Sequence, residues 1–171
     1  METVTLALLA ILPALVIVAG LKDLTSMTIP NWISGLVVLG FFPAAFAAGL
    51  PLGEVAVHLG VCVAALAVGI GLFGLRLIGG GDAKLMAAAC LWLGLSGSGM
   101  FILWTGLMGG VFCVFLVIAR ARAQPYVAGA PGWVAHLLEP KGDIPYGVAI
   151  AAGVLMAYPA SPLVMRFAAG I

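Results

Sequence analysis

Long apolar runs separated by short polar interruptions dominate the chain. A helix crosses the hydrocarbon layer of a bilayer in about 20 residues. By that measure the pattern predicts spans over residues 4–21, 33–50, 55–75, 83–95, 100–119 and 145–167. The interruptions carry the turn chemistry. Lys22-Asp23 ends the first run, and Pro30 biases Ile29 away from helix. Asn31 is then placed to cap the second span, with Trp32 as an interfacial anchor. Pro51 to Gly53 turns the chain into the third span, Gly79 to Gly81 into the fourth, and Ser96 to Gly99 into the fifth. Residues 120–144 form the longest polar segment, in which Trp133 to Leu138 reads as a short interfacial helix. Pro13 falls inside the first span, where neighbouring helices can accommodate a kink.

Composition narrows the class. Of 171 residues, 64% are hydrophobic and 8% charged, against about 25% charged in a soluble domain. The expectation is an all-α polytopic membrane protein, one domain over residues 1–171 with no soluble domain and the lipid bilayer as solvent. The first apolar run is too long for a signal-peptide core and reads as a retained span. The net charge of +1 gives no electrostatic case for nucleic acid. Cys62, Cys90 and Cys113 lie singly in apolar runs, without a CxxC or a Cys/His cluster, so neither a metal nor a cofactor is expected.

The basic residues set the orientation. Lys22, Arg76, Lys84, Arg120, Arg122 and Lys141 fall at one end of the predicted bundle, and only Arg166 at the other. The positive-inside rule makes the first end cytoplasmic and both termini external. Asp23 and Asp82 then share the cytoplasmic end, although neither entered the assignment.

An acid beside the hydrocarbon needs a reason, because at mid-membrane it costs roughly 2.5–3.5 kcal/mol on the lenient insertion scale. Two carboxylates at the ends of different helices can be packed together. Brought close they cannot both ionise, and they share a proton. One can then take a proton from water while the other polarises a peptide carbonyl, which is aspartic proteolysis by general acid–base catalysis. Gly79, Gly80 and Gly81 leave backbone room beside Asp82 for an extended substrate, and the start of a helix favours the anion.

Three stretches then resemble the type IV prepilin peptidases, most closely the short form of Flp (tight-adherence) pilus systems. They are Asp23 with the following Ile29-Pro30-Asn31, the GxGD-x-K-L pattern Gly79-Gly-Gly-Asp82-Ala-Lys84-Leu85, and Pro145-Tyr146-Gly147 at the start of the last span. The resemblance covers essentially the whole chain. It implies Asp23 and Asp82 as catalytic residues, with Gly79, Gly80, Gly81, Lys84, Pro30 and Asn31 near the substrate. It also implies cleavage of the short basic leader of prepilin and pseudopilin precursors at the cytoplasmic face of the bacterial inner membrane. The long form of that family adds a domain with paired CxxC motifs and methylates the new terminus. This chain lacks those cysteines, so the expectation is peptidase activity alone. The resemblance departs at Thr25 to Thr28, where basic residues are common in the family.

Blander readings exist for each residue. Asp82 alone is an ordinary helix N-cap, Lys22-Asp23 an interfacial stop, and Lys84 an inside-facing charge. Asp143 and Glu139 read as solvated loop charges, Glu54 as the start of span three, His58 as packed between helices and His136 as interfacial. The rival function is a small transporter or proton conductor using the two aspartates as relay groups. No acid lies near mid-membrane to continue such a path.

Overall fold

The computed structural model describes residues 2–123, 129–140 and 142–170. Lys141 and residues 124–128, part of the predicted polar segment, lie outside them. The described residues form helices α1 (Glu2–Leu9), α2 (Ile11–Ser26), α3 (Asn31–Ala47), α4 (Leu52–Gly74), α5 (Gly80–Ala123), α6 (Gly132–Leu137), α7 (Tyr146–Ala157) and α8 (Pro162–Ala169). Four stretches are long and apolar enough to cross a membrane: Glu2–Ser26, Leu52–Gly74, Gly80–Arg122 and Tyr146–Ala169. The apolar helix α3 is shorter. The 44-residue α5 is two helices joined at Gly94, so the described residues match the predicted count of six apolar helical segments.

That junction lies upstream of the expected Ser96–Gly99 turn. Gly94 has φ 62° and ψ −170°, a conformation closed to residues with a Cβ. The reason is tertiary. His58 of α4, only 3% exposed, pushes its ring into the break. Its Nδ1 lies 2.6 Å from the Leu91 carbonyl, which can only accept, so Nδ1 carries the proton. A Cβ on Gly94 would stand 2.7 Å from His58 Nε2. Residues 96–99 continue the helix, and Ser98 Oγ donates to the Gly94 carbonyl at 2.6 Å. The two arms fold back on each other, because Arg120 near one end reaches the segment that lines a cleft with Asp82 near the other.

The helix through Pro13 shows similar accounting. Proline removes the hydrogen bond to the carbonyl four residues earlier. That carbonyl, Leu9 O, accepts instead from the Tyr158 hydroxyl at 2.8 Å, and the helix is interrupted at Ala10. Tyr158 begins a 3-10 turn, Tyr158–Ala160, which divides the expected continuous sixth span into α7 and α8. Pro159 and Pro162 account for the division.

The core is centred on Trp92, with Phe41 6.0 Å and Tyr158 6.3 Å away between ring centroids, and the indole N–H donates to Val37 O at 2.8 Å. The outer faces are also apolar: Leu103, Leu107, Val111, Val114 and Ile118 of α5 are all exposed. Such a surface is stable in lipid and costly in water. Gly106 and Gly110, spaced as GxxxG, face open space, whereas Gly109 packs on Tyr146 and Ala149.

Helix α7 packs closely on α5 at Gly153. A Cβ on Gly153 would lie 2.8 Å from the Thr105 amide nitrogen, against backbone that cannot step aside. Gly153→Val should therefore destabilise the protein by about 1–3 kcal/mol, the range for overpacking. Thermal unfolding in detergent would show this as a lower midpoint, whereas an unchanged midpoint would mean that α7 is free to shift.

The ends of the bundle differ in charge. Lys22, Arg76, Lys84, Arg120 and Arg122 lie at the end carrying the α2–α3 and α4–α5 turns. Arg166 lies at the other, donating to Glu54 Oε1 and to Gly49 O, both at 3.1 Å.

Candidate active site

Helix α2 does not stop at Lys22-Asp23. It runs on to Ser26, with Thr25 Oγ1 donating back to Leu21 O at 2.8 Å and Ser26 Oγ to Lys22 O at 2.7 Å, so both hydroxyls are satisfied inside the helix. Met27 ends it in the left-handed region, φ 51°. Asp23 thus sits on a rigid helical turn. It is 6% exposed, and its Oδ2 accepts from the Gly147 amide at 2.7 Å. That N–H belongs to the first turn of α7, one of the four amides that have no partner within their own helix. Asp23 therefore caps α7 from another span. The contact needs a glycine, since a Cβ on Gly147 would stand 2.8 Å from Asp23 Cβ and 2.9 Å from Oδ2.

Asp82 is the third residue of α5, and its Oδ2 accepts from the Gly79 amide at 3.2 Å, the reach-back of an N-terminal acid. A Cβ on Gly79 would come within 2.8 Å of that oxygen. The space beside Gly79 is thus occupied by the carboxylate itself. Gly80 lies near Phe73, and a Cβ on Gly81 would be 3.0 Å from Ile29 Cβ, so Gly81 lets α5 start against the α2–α3 turn. Asp82 Oδ1 is buried and has no hydrogen-bond partner among the described residues.

The two acids meet. They are close enough for their charges to interact. Both line a cleft of about 870 Å³ with Met27, Phe73, Arg76, Gly79 and residues 142–146. Both also line a smaller recess, about 270 Å³, with Thr28, Ile29 and Gly79 to Gly81. Asp23, Met27, Gly79 and Asp82 thus border both spaces. Arg76, like Met27, borders the cleft with a positive φ, 58°, and turns the chain out of α4. Non-glycine residues rarely hold this conformation, and it clusters at functional sites.

Other residues singled out from sequence lie elsewhere. Asn31 is not a cap: Pro30 occupies that position, and Asn31 Oδ1 accepts from Lys84 Nζ at 2.9 Å. Lys84 and Asn31 border a separate groove with Ser34 and Ala87. Glu139 pairs with His136 at 3.4 Å on an exposed turn. Asp143, read as a plain loop charge, is exposed and stands on the cleft wall. Sequence reasoning marked Pro145-Tyr146-Gly147 only as a pattern and missed that its amide would hold Asp23. It also missed Arg120, whose guanidinium is buried against the loop before α7.

Residues 10–114 match the model of the type IV leader peptidase family. The match takes in both aspartates and more than half of the chain. The chain belongs to the type IV leader peptidase family. No curated protein and no solved structure matches it. The leader peptidase match ends before Arg120 and α7, so the partner of Asp23 lies outside the matched residues. Membership in a leader peptidase family gives no support to the transporter reading.

Proposed function

We propose that this protein is a membrane aspartic endopeptidase that removes the leaders of type IV prepilins and pseudopilins, with Flp-type precursors as its substrates. The observation that carries this reading is the pair of aspartates from different spans on one cleft, each held through one oxygen by a glycine amide. Holding one oxygen fixes each carboxyl and leaves the other for chemistry. The pair shares one proton and positions a water between its members. The ionised member removes a proton from that water as oxygen attacks the scissile carbonyl, and the protonated member donates to the carbonyl oxygen. Collapse of the tetrahedral adduct breaks the C–N bond, and the leaving amine takes up a proton. No metal or cofactor enters this scheme. Gly79 to Gly81 border the path of the extended substrate. Pro30 and the hydrogen-bonded Asn31–Lys84 pair hold the α2–α3 turn that forms its rim. The proposal stops at hydrolysis, because the three cysteines stand singly and supply no paired CxxC motif.

The cleft is proposed to face the cytoplasm, on the strength of the basic residues at its end of the bundle. In a background without Cys62, Cys90 and Cys113, a membrane-impermeant thiol reagent added from outside should label Gly53→Cys but not Thr25→Cys. Both positions are exposed and lie at opposite ends. The reverse pattern would turn the site away from the cytoplasm. Function itself is read by co-expression with a pilin precursor, which should migrate faster on a gel; an unshifted precursor beside well-inserted protein would contradict the proposal.

A further inference from the structure

We infer that Arg120 is a positioning residue of this active site: it clamps the loop between α6 and α7 so that the Gly147 amide and the cleft wall are presented to Asp23. The inference rests on the aspartic-dyad reading and adds a part that the charge pattern does not predict, since Arg120 in sequence is only one of several basic residues at that end.

Among the described residues Arg120 holds three carbonyls of this region. Arg120 stands near the C-terminal end of α5 and is 8% exposed. Its Nε donates to Leu137 O at 3.0 Å, Nη1 to Gly142 O at 2.8 Å, and Nη2 to Asp143 O at 2.7 Å. Leu137 is the last residue of α6, whose terminal carbonyls have no partner within their helix. One planar cation therefore ties the end of α6 to two peptides of the loop that leads into α7. Gly142 approaches closely enough that a Cβ there would lie 3.3 Å from Nη2. From Asp143 only Ile144, Pro145 and Tyr146 intervene before Gly147, and Pro145 is buried and fixed in φ. Residues 142–146 are the wall of the large cleft, and the next amide is the one that Asp23 accepts. A displacement at 142–143 is thus passed to both.

The competing explanation is a charge that only orients the protein in the membrane. The two differ in what lysine can do. Lysine keeps the charge, but its ammonium is a point donor that cannot span three carbonyls set out for a planar fork. An orienting charge predicts that Arg120→Lys equals wild type. A clamp predicts that Arg120→Lys and Arg120→Gln both slow turnover, by about 10- to 100-fold, as expected when a reacting group is displaced by about an ångström. Arg122→Gln removes the same charge from an exposed position two residues on and should cleave like wild type.

The deciding experiment pairs precursor cleavage at matched membrane levels with the rate at which a thiol reagent labels Ile144→Cys in protein lacking the native cysteines. Ile144 is half-buried on the cleft wall. Labelling needs no activity, so it reports on the clamp alone, while wild-type cleavage in the same assay reports separately on the peptidase reading. The expected result is slower cleavage by both Arg120 variants together with faster labelling of Ile144→Cys in each. Should Arg120→Gln fail to accumulate, Arg120→Lys decides. Wild-type cleavage by Arg120→Lys, or slow cleavage with unchanged labelling, would overturn the inference.

Discussion

Asp23→Asn and Asp82→Asn should each reduce precursor cleavage by about 100- to 10,000-fold, the contribution expected of a positioned acid–base group. Both variants should still fold. An asparagine Oδ1 can accept from the Gly147 or Gly79 amide as the carboxylate does, so the cap on α7 and the reach-back in α5 survive. An amide is also cheaper to bury than a charge. What it cannot do is exchange a proton with water. The double variant should be no slower than either single one, because groups acting as a unit are strongly non-additive. Asp143→Asn, Glu54→Gln and Glu139→Gln should retain activity. Glu54 is tied to Arg166 at the far end, and Glu139 to His136. Asp143, though on the cleft wall, is held through its backbone carbonyl. The measurement is cleavage at matched membrane levels. Substantial turnover by a well-inserted Asp82→Asn protein would remove the dyad, and an inactive Asp143→Asn would show that the third acid had been misassigned.

The second large effect is expected at Gly147. In Gly147→Ala the new methyl would stand 2.8 Å from Asp23 Cβ and 3.1 Å from Cγ. These are a helical turn and its short, buried side chain, which have little freedom to give. Either α7 moves off α2 or Asp23 leaves its amide, and both displace the carboxylate. Cleavage should fall by about 100-fold, with overpacking lowering stability by about 1–3 kcal/mol. Gly60→Ala is the control, a helical glycine of α4 with nothing within 4 Å of its added Cβ. It should leave both quantities near wild type. If Gly147→Ala cleaved normally, the Asp23–Gly147 hydrogen bond would have no part in catalysis.

How far the sequence could be read followed from which forces act locally. The apolar helical segments were legible because lipid demands runs of about 20 apolar residues, whatever those residues touch. Asp23 and Asp82 stood out for the complementary reason, as acids where acids are expensive. The breaks were not legible. Ser96-Gly-Ser-Gly99 is the stronger turn signal, yet the reversal is at Gly94, where a histidine 36 positions earlier fills the gap. Pro13 was visible, but that Tyr158 would take the carbonyl it frees was not. Asn31 has the chemistry of a cap and spends it on Lys84, 53 residues away. Gly147 and Arg120 belong to the same class: each acts through a backbone partner that only the packed bundle brings near, Asp23 being 124 positions from Gly147.

The most direct measurement is the mass of the products when purified protein in lipid vesicles is given a pilin precursor. The account predicts two fragments from hydrolysis of one peptide bond, the leader and the mature chain, formed by wild type and lost in both Asp23→Asn and Asp82→Asn. An intact precursor after prolonged incubation with folded wild-type protein, or the same two fragments from either asparagine variant, would contradict it.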